Sequence, residues 1–396
     1  KIEKLILGSG VVSIGESSFS NIGLKNLTIP KTVISLGESS FSGNPIEILS
    51  LGNCTSSICV SGNQFGKAIK DLTVESGEIE NFAFSSSSDS TTKIEKLTLG
   101  NGVTKIGNSA FANNQISNLV LPDGLTAIGT MAFSNNIIND LRIPKSIDTI
   151  STWAFKDNPL TTLSIGKCTL DICKDQFFGT SVINLTIESG EIGQNGFASY
   201  DNAPIKIQNL TLGNGVKTIG SGAFKSNQIS SLTIPKSVTT IGSSAFWSNQ
   251  ISSLTLPDSV TAIGGAAFSS NQISSLTIPN SVTTIGNYAF QNNQISSLTI
   301  PNSVTTIGDA AFRSNQISGE LIIPNSVTSI GKQSFYNNLI SSLTIPSSVT
   351  TIGDAAFYSN PLTSILIKRT KEDFTANVTV GTDWYTSTPT ITYEPE

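Results

Sequence analysis

Apolar positions recur along this chain at a spacing of 22 residues. Aligned on the first residue of an L-x-[IVL] triplet, the repeats start at Leu5, Leu27, Leu49, Leu72, Leu97, Leu119, Leu141, Leu163, Leu185, Leu210, Leu232, Leu254, Leu276, Leu298, Leu321 and Leu343, with Ile365 closing the series. These are 17 units, and the few spacings of 23 or 25 fall where extra Ser, Asp or Gly enter, as at Ser85 to Thr92 and Tyr200 to Pro204. Insertions of that composition predict loops.

The clearest copies read S-L-T-I-P-x-S-V-T-T-I-G-x-x-A-F-x-x-N-Q-I-S, as in Ser231 to Ser252. In Leu232-Thr233-Ile234 the alternation predicts a short strand that buries Leu and Ile and turns Thr outward. Pro235 ends its pairing, because proline has no amide hydrogen to donate. Val238 and Ile241 then suit a second extended or turning segment facing the same interior, and Gly242 permits the bend that follows. Ala245-Phe246 supply one small residue and one ring per unit, which predicts a stacked spine. Three residues after each spine Phe comes Asn, at positions such as Asn114, Asn136, Asn227, Asn249 and Asn271. Such a column is explained by side-chain hydrogen bonds to backbone groups that the turn leaves unpaired.

A 22-residue coil cannot enclose a core alone and gains stability only by stacking on its neighbours. The pattern therefore predicts a right-handed, β-rich solenoid, with a parallel sheet of about 17 short strands on its concave face. Between the strands there is room only for short turns or 3₁₀ segments. With strands about 4.8 Å apart, the sheet would run on the order of 80 Å. The motif L-x-[IL]-P-x-x-V-x-x-I-G-x-x-A-F resembles the leucine-rich repeats of BspA-like bacterial surface proteins, the Treponema-type subclass. The resemblance covers most of the chain and implies a leucine-rich-repeat solenoid. It also implies an extracellular or cell-surface location and adherence to a protein or glycan partner. Family members often carry Cys where this chain has its Asn column.

A longer period lies above the short one. C-T-S-S-I-C at Cys54 is echoed by C-T-L-D-I-C at Cys168, and E-S-G-E-I at Glu75 by the same five residues at Glu188, an offset of 113 or 114 residues. This reads as duplication within one solenoid over residues 1–367. Residues 368–396 break the repeat, are richer in charged and aromatic residues, and are expected to form a C-terminal capping segment. The first coil begins with its edge exposed, so the N-terminal edge is expected to be truncated.

Composition narrows the chemistry. The chain has no histidine, which removes Ser-His-Asp and Cys-His catalysis and His-bearing zinc sites. Net charge is −5, and no segment concentrates Lys or Arg, which argues against nucleic acid. No apolar stretch approaches the length that membrane insertion by this segment would need. No cofactor, metal or catalytic residue is expected, and the chain is expected not to be an enzyme. Gly100-Asn101-Gly102 and Gly213-Asn214-Gly215 lack phosphate-loop spacing and are read as turns, as is Gly62 to Lys67.

The remaining candidates concern binding and cross-linking. Cys54 with Cys59, and Cys168 with Cys173, are read as local disulfides or as buried free thiols. The outward strand position holds Thr in ten of 17 coils, among them Thr186, Thr211, Thr233, Thr255, Thr277 and Thr299, with Arg142 interrupting the series. This ladder is either a wettable strand surface or a binding face. Aromatic and arginine residues outside the spine form candidate rims. Trp247, Arg313, Tyr336 and Tyr358 follow a spine Phe, while Trp153 and Tyr288 precede its Ala. The function expected is a secreted or cell-surface binding module. Rival readings are a structural or ice-contacting Thr array, and a carboxylate-based glycan-active enzyme using Glu75, Glu78, Glu188 or Glu191.

Overall fold

The computed structural model describes residues 2, 4–60, 64–86, 93–173, 178, 181–199 and 206–394. Gly62, Asn63, most of the first insertion (87–92) and the whole of the second (200–204) lie outside the described residues. The chain forms two compact units. Unit 1 comprises Lys1–Ile172 with Gln176–Leu185, and unit 2 comprises Cys173–Asp175 with Thr186–Glu396. Each is a stack of coils.

Within a coil the alternation of the sequence becomes alternation of burial. Asn26–Ile29 and Asp140–Ile143 each place Leu and Ile inside and the intervening residue outside. In unit 2, the coil from Leu254 to Ile273 buries Leu254, Leu256, Val260, Ile263, Ala267, Phe268 and Ile273. Large side chains of this kind contribute about 1.5–3 kcal/mol each. That gain exists only when a neighbouring coil covers them, so it offsets the ordering of some 20 residues only in a stack.

Strand pairing is shared between two faces. In unit 2 the V-x-x-I segments make the longer unbroken ladder. Thr218–Ile219, Thr240–Ile241, Ala262–Ile263, Thr284–Ile285, Thr306–Ile307, Ser329–Ile330, Thr351–Ile352 and Thr379–Val380 pair in sequence, all parallel and in register. On the L-T-I face, Ser253–Thr255 pairs with Ser275–Thr277, and Ser318–Ile322, Leu339–Ile345, Ser364–Ile367 and Thr390–Tyr393 form a second set. Pro257, Pro279, Pro324 and Pro346 follow four of these strands and stop the pairing there.

In some coils without that Pro the strand turns the corner, although Ile48–Leu51 and Thr162–Ile165, followed by Gly52 and Gly166, stop at four residues. Asp71–Ile79 and Lys96–Ile106 run through both faces and pair along their length, with register shifts at Val74/Ser76 and Gly77/Glu78. Gly100-Asn101-Gly102 therefore lies inside a strand and is not a turn, and Gly213-Asn214-Gly215 lies likewise inside Asn209–Ile219. A bulged ladder absorbs the corner that Pro makes elsewhere. Gly100 is required there, for a Cβ would sit 2.5 Å from the Glu75 carbonyl oxygen of the adjoining strand.

The third side of each coil is a turn segment with its own cross-coil hydrogen bonds. The amides of Ala266, Phe268 and Ser270 donate to the carbonyls of Asn287, Ala289 and Gln291. Ala266 and Ser270 adopt left-handed backbone, φ 53° and 57°. Two such residues flank Ala-Phe in most coils, which reverses the chain within seven residues without a helix. The rings stack as expected. From Phe197 to Phe357 in unit 2, centroids lie 5.2–5.9 Å apart with planes within 17°. In unit 1, Phe19, Phe41 and Phe65 form one run, and Phe84 to Phe178 another.

The Asn column bridges consecutive coils. Asn271 Oδ1 accepts from the Ile251 amide at 3.1 Å, and its Nδ2 donates to the carbonyls of Phe246 (2.9 Å) and Phe268 (3.1 Å). The column also reaches back to Asn44, which accepts from the Ile22, Gly23 and Leu24 amides. Another bridge has no counterpart in the reading above. The Ser of P-x-S-V donates to the preceding coil's Val carbonyl, as Ser259 to Val238, Ser281 to Val260 and Ser303 to Val282.

At the C-terminal end, the helix Lys371–Asn377 is capped by Thr370, whose hydroxyl accepts from the Asp373 amide, and it buries Phe374. Thr390–Tyr393 and Thr379–Val380 each add a strand to one face, and Trp384 meets Phe357 edge-on at 6.2 Å. Asp354 ties this segment down by accepting from the Thr382 amide and hydroxyl, with Lys332 3.2 Å away. The Thr382 amide bond first, then Lys332, holds its carboxyl below the ordinary 3.8.

Two outcomes follow from these contacts. Asn271→Leu leaves the Ile251 amide without a partner and takes one of two donors from the Phe246 and Phe268 carbonyls, which keep Asn249 and Asn293, and it should lower the unfolding free energy by about 1–3 kcal/mol, read by urea denaturation. Because the folded Asp354 carboxyl titrates low, its stabilising contribution is complete above the unfolded value and is lost as pH falls through the folded one. Carboxyl NMR should place its midpoint below 3.8. Thr382→Ala keeps the amide donor and should raise that midpoint only in part.

Candidate binding surfaces

Three outward surfaces carry the residues singled out by sequence. The first is the L-T-I face. Thr211, Thr233, Thr255, Thr277 and Thr299 are exposed in unit 2, and Thr186 is half-buried. The alternation that buries their Leu and Ile neighbours leaves them no inward option. Arg142 is exposed in unit 1, 4.0 Å from Asp123.

A second hydroxyl array was not foreseen. Val-Thr-Thr-Ile turns two residues outward per coil, so Thr239 and Thr240, and Thr283 and Thr284, form paired exposed columns. Part of their hydrogen-bonding capacity is spent within the stack, since Thr283 and Thr305 donate to the Thr261 and Thr283 carbonyls of the preceding coils. The signal was present in the doubled Thr of the repeat.

The third surface is the turn side. Trp247, Arg313, Tyr336 and Tyr358 fall in one column of unit 2, directly after the spine Phe, and all are half-buried. Tyr336 and Tyr358 stack at 5.6 Å with planes 3° apart, and the Arg313 guanidinium lies 5.0 Å over the Tyr336 ring. Arg313 also donates to Gln333 at 2.8 Å. Lys225 sits 4.7 Å over Trp247. Neighbouring coils thus brace these side chains, and cation–π contact holds the rings upright. Tyr288 occupies the adjacent column of unit 2, 46% exposed, between Ala266 and Ala310 in register. Trp153 lies in unit 1, 48% exposed, with Lys156 5.3 Å over its ring. Four of the six aromatic and arginine candidates thus share one column of unit 2, with Tyr288 in the adjacent column of that unit.

Cys54 and Cys59 form a disulfide, and Cys168 and Cys173 are each disulfide-bonded. Cys54 and Cys59 are buried, so they cross-link a turn and offer no reactive thiol. Among the described residues no three His, Cys, Asp or Glu gather as a metal site, and no helix is long and apolar enough to cross a membrane. Glu78 lies 3.9 Å from Lys105 at the surface.

The BspA type leucine rich repeat region matches residues 1–94, 77–204, 191–318 and 314–378. This chain belongs to that family. The BspA-type repeat accounts for the inward Leu, Ile and Phe and leaves the outward residues unassigned. Solved structures similar to it include a leucine rich cell surface protein from Faecalibacterium prausnitzii A2-165, at 20% identity and TM-score 0.30, covering 95% of this chain and 88% of that one. A leucine-rich repeat protein from Bacteroides ovatus ATCC 8483 is 19% identical, with TM-score 0.31 and coverage of 85% and 83%. The pneumococcal vaccine antigen PcpA is 15% identical, with TM-score 0.28 and coverage of 98% and 93%. The assignment rests on the family match and not on these likenesses. No curated protein sequence matches the chain.

Tyr288 combines an exposed ring with left-handed backbone, φ 61°, which costs a bulky residue about 1–2 kcal/mol. Tyr288→Gly should therefore raise stability by about 0.5–1 kcal/mol in thermal or urea unfolding, after the glycine's own chain entropy is counted.

Proposed function

We propose that this chain is a non-enzymatic binding module of the cell surface or the secreted space, presenting one side of its coils to a protein or glycan partner. The observation that carries the reading is the turn side of unit 2. Trp247, Tyr288, Arg313, Tyr336 and Tyr358 stand outside the core, on positions where other coils carry Ser, Gln or Ala at no cost to the stack. Residues of these types dominate interface energetics, and bracing by neighbours lowers the entropy lost on binding. Disulfide-bonded cysteines agree with an oxidising location. The Thr arrays supply a polar, wettable flank in this reading.

Surface plasmon resonance against a panel of extracellular-matrix proteins and immobilised glycans tests it. Trp247→Ala and Tyr336→Ala should each weaken the strongest interaction at least tenfold, equivalent to about 1.4 kcal/mol. Undiminished affinity in both variants removes this side of unit 2 from the function.

A further inference from the structure

The same turn side in unit 1 holds a cleft of about 450 Å³ that the reading above does not use. That volume lies within the ~300–1,000 Å³ usual for small-ligand sites. It opens where the column before the spine Ala carries a small residue, Ser109, between Phe82 and Met131, and where the column after the spine Phe is small at Ser85, Ala112 and Ser134. Phe82, a residue 54% exposed, stands on one side, and Met131 and Lys156 stand on the other. Phe82 and Met131 both hold left-handed backbone, φ 60° and 53°, so two bulky side chains occupy strained positions at the cleft's edges.

The polar lining is neutral in sum. Lys156 lies 4.0 Å from Asp157 and over the Trp153 ring, so its charge is offset before any ligand arrives. Asn135 donates to Asn113 at 2.7 Å, which fixes the two amides edge to edge and leaves an acceptor on Asn135 and a donor on Asn113. Ser109 and Ser134 add hydroxyls. An exposed ring beside fixed neutral donors and acceptors matches a ligand with an apolar C–H face and a hydroxyl rim. A pyranose has both. The Lys93 ammonium beside the pair donates to the Asn113 backbone carbonyl at 3.0 Å, and an apolar peptide side chain would strand the amides.

We propose that the cleft around Ser109 binds a neutral oligosaccharide, with Phe82 as the stacking platform and Asn113 and Asn135 as the hydrogen-bonding pair. This deepens the binding-module reading and rests on it.

The test is saturation-transfer NMR and isothermal titration calorimetry on the full chain, with cellotriose, chitotriose and mannotriose as probes. At least one should receive saturation on its ring protons at millimolar concentration. Phe82→Ala should weaken that probe at least tenfold. Ser109→Trp should abolish binding by filling the cleft, and it should fold because Trp153 already occupies the same register with φ 60°. No saturation of any probe, or equal binding by the Ser109→Trp variant, overturns the proposal. Retained matrix-protein affinity alongside either result confines the failure to the cleft and spares the surface of unit 2.

Discussion

The structure depends on a single recurrent bridge, the buried Asn that ties each turn to the one before it. Its carbonyl oxygen satisfies an amide of the preceding coil, and its amino group satisfies the carbonyls of two successive spine Phe residues. These backbone groups sit where the chain reverses, out of reach of either strand ladder. Water is excluded there by the Phe stack. Each Phe carbonyl is shared by two successive Asn residues, so without a side chain carrying both a donor and an acceptor at that depth every coil would bury an unpaired amide and an unpaired carbonyl. The spine and the Asn column therefore require each other.

That dependence explains the division of labour within the repeat. Leu, Ile, Val, Ala, Phe and Asn face inward and recur with little variation, because each touches its own counterpart one coil away. The outward positions meet only solvent or the neighbouring outward position. Along the column after the spine Phe in unit 2 the residues run Lys225, Trp247, Ser269, Gln291, Arg313, Tyr336 and Tyr358, with the same backbone bonds beneath them. A scaffold of this kind can change what it recognises without changing how it folds.

Much of this was legible in the chain itself. The 22-residue period, the burial of L-x-I, the stacked rings and the bridging role of Asn all follow from residue type and spacing. The reading failed at G-N-G, where two glycines and an asparagine suggested a turn and the structure has a bulged strand. Turn propensity is local, whereas the adjoining strand offers a whole edge of unpaired groups, and the absent Pro lets the chain take it. Among candidate surface residues, sequence grouped Trp247, Arg313, Tyr336 and Tyr358 correctly by register. It did not reveal that cations lie over three of the rings, or that the small side chain of Ser109 between Phe82 and Met131 leaves a cleft.

The sequence by itself determined the coil, because the coil is a periodic object and every coil obeys the same alternation and the same few bends. Tertiary structure alone decided which outward side chains touch, which strained positions carry a bulky group beside a small one, and where a recess opens. Those outcomes arise from differences between neighbouring coils at separations of about 20 residues, and a consensus, by construction, averages such differences away.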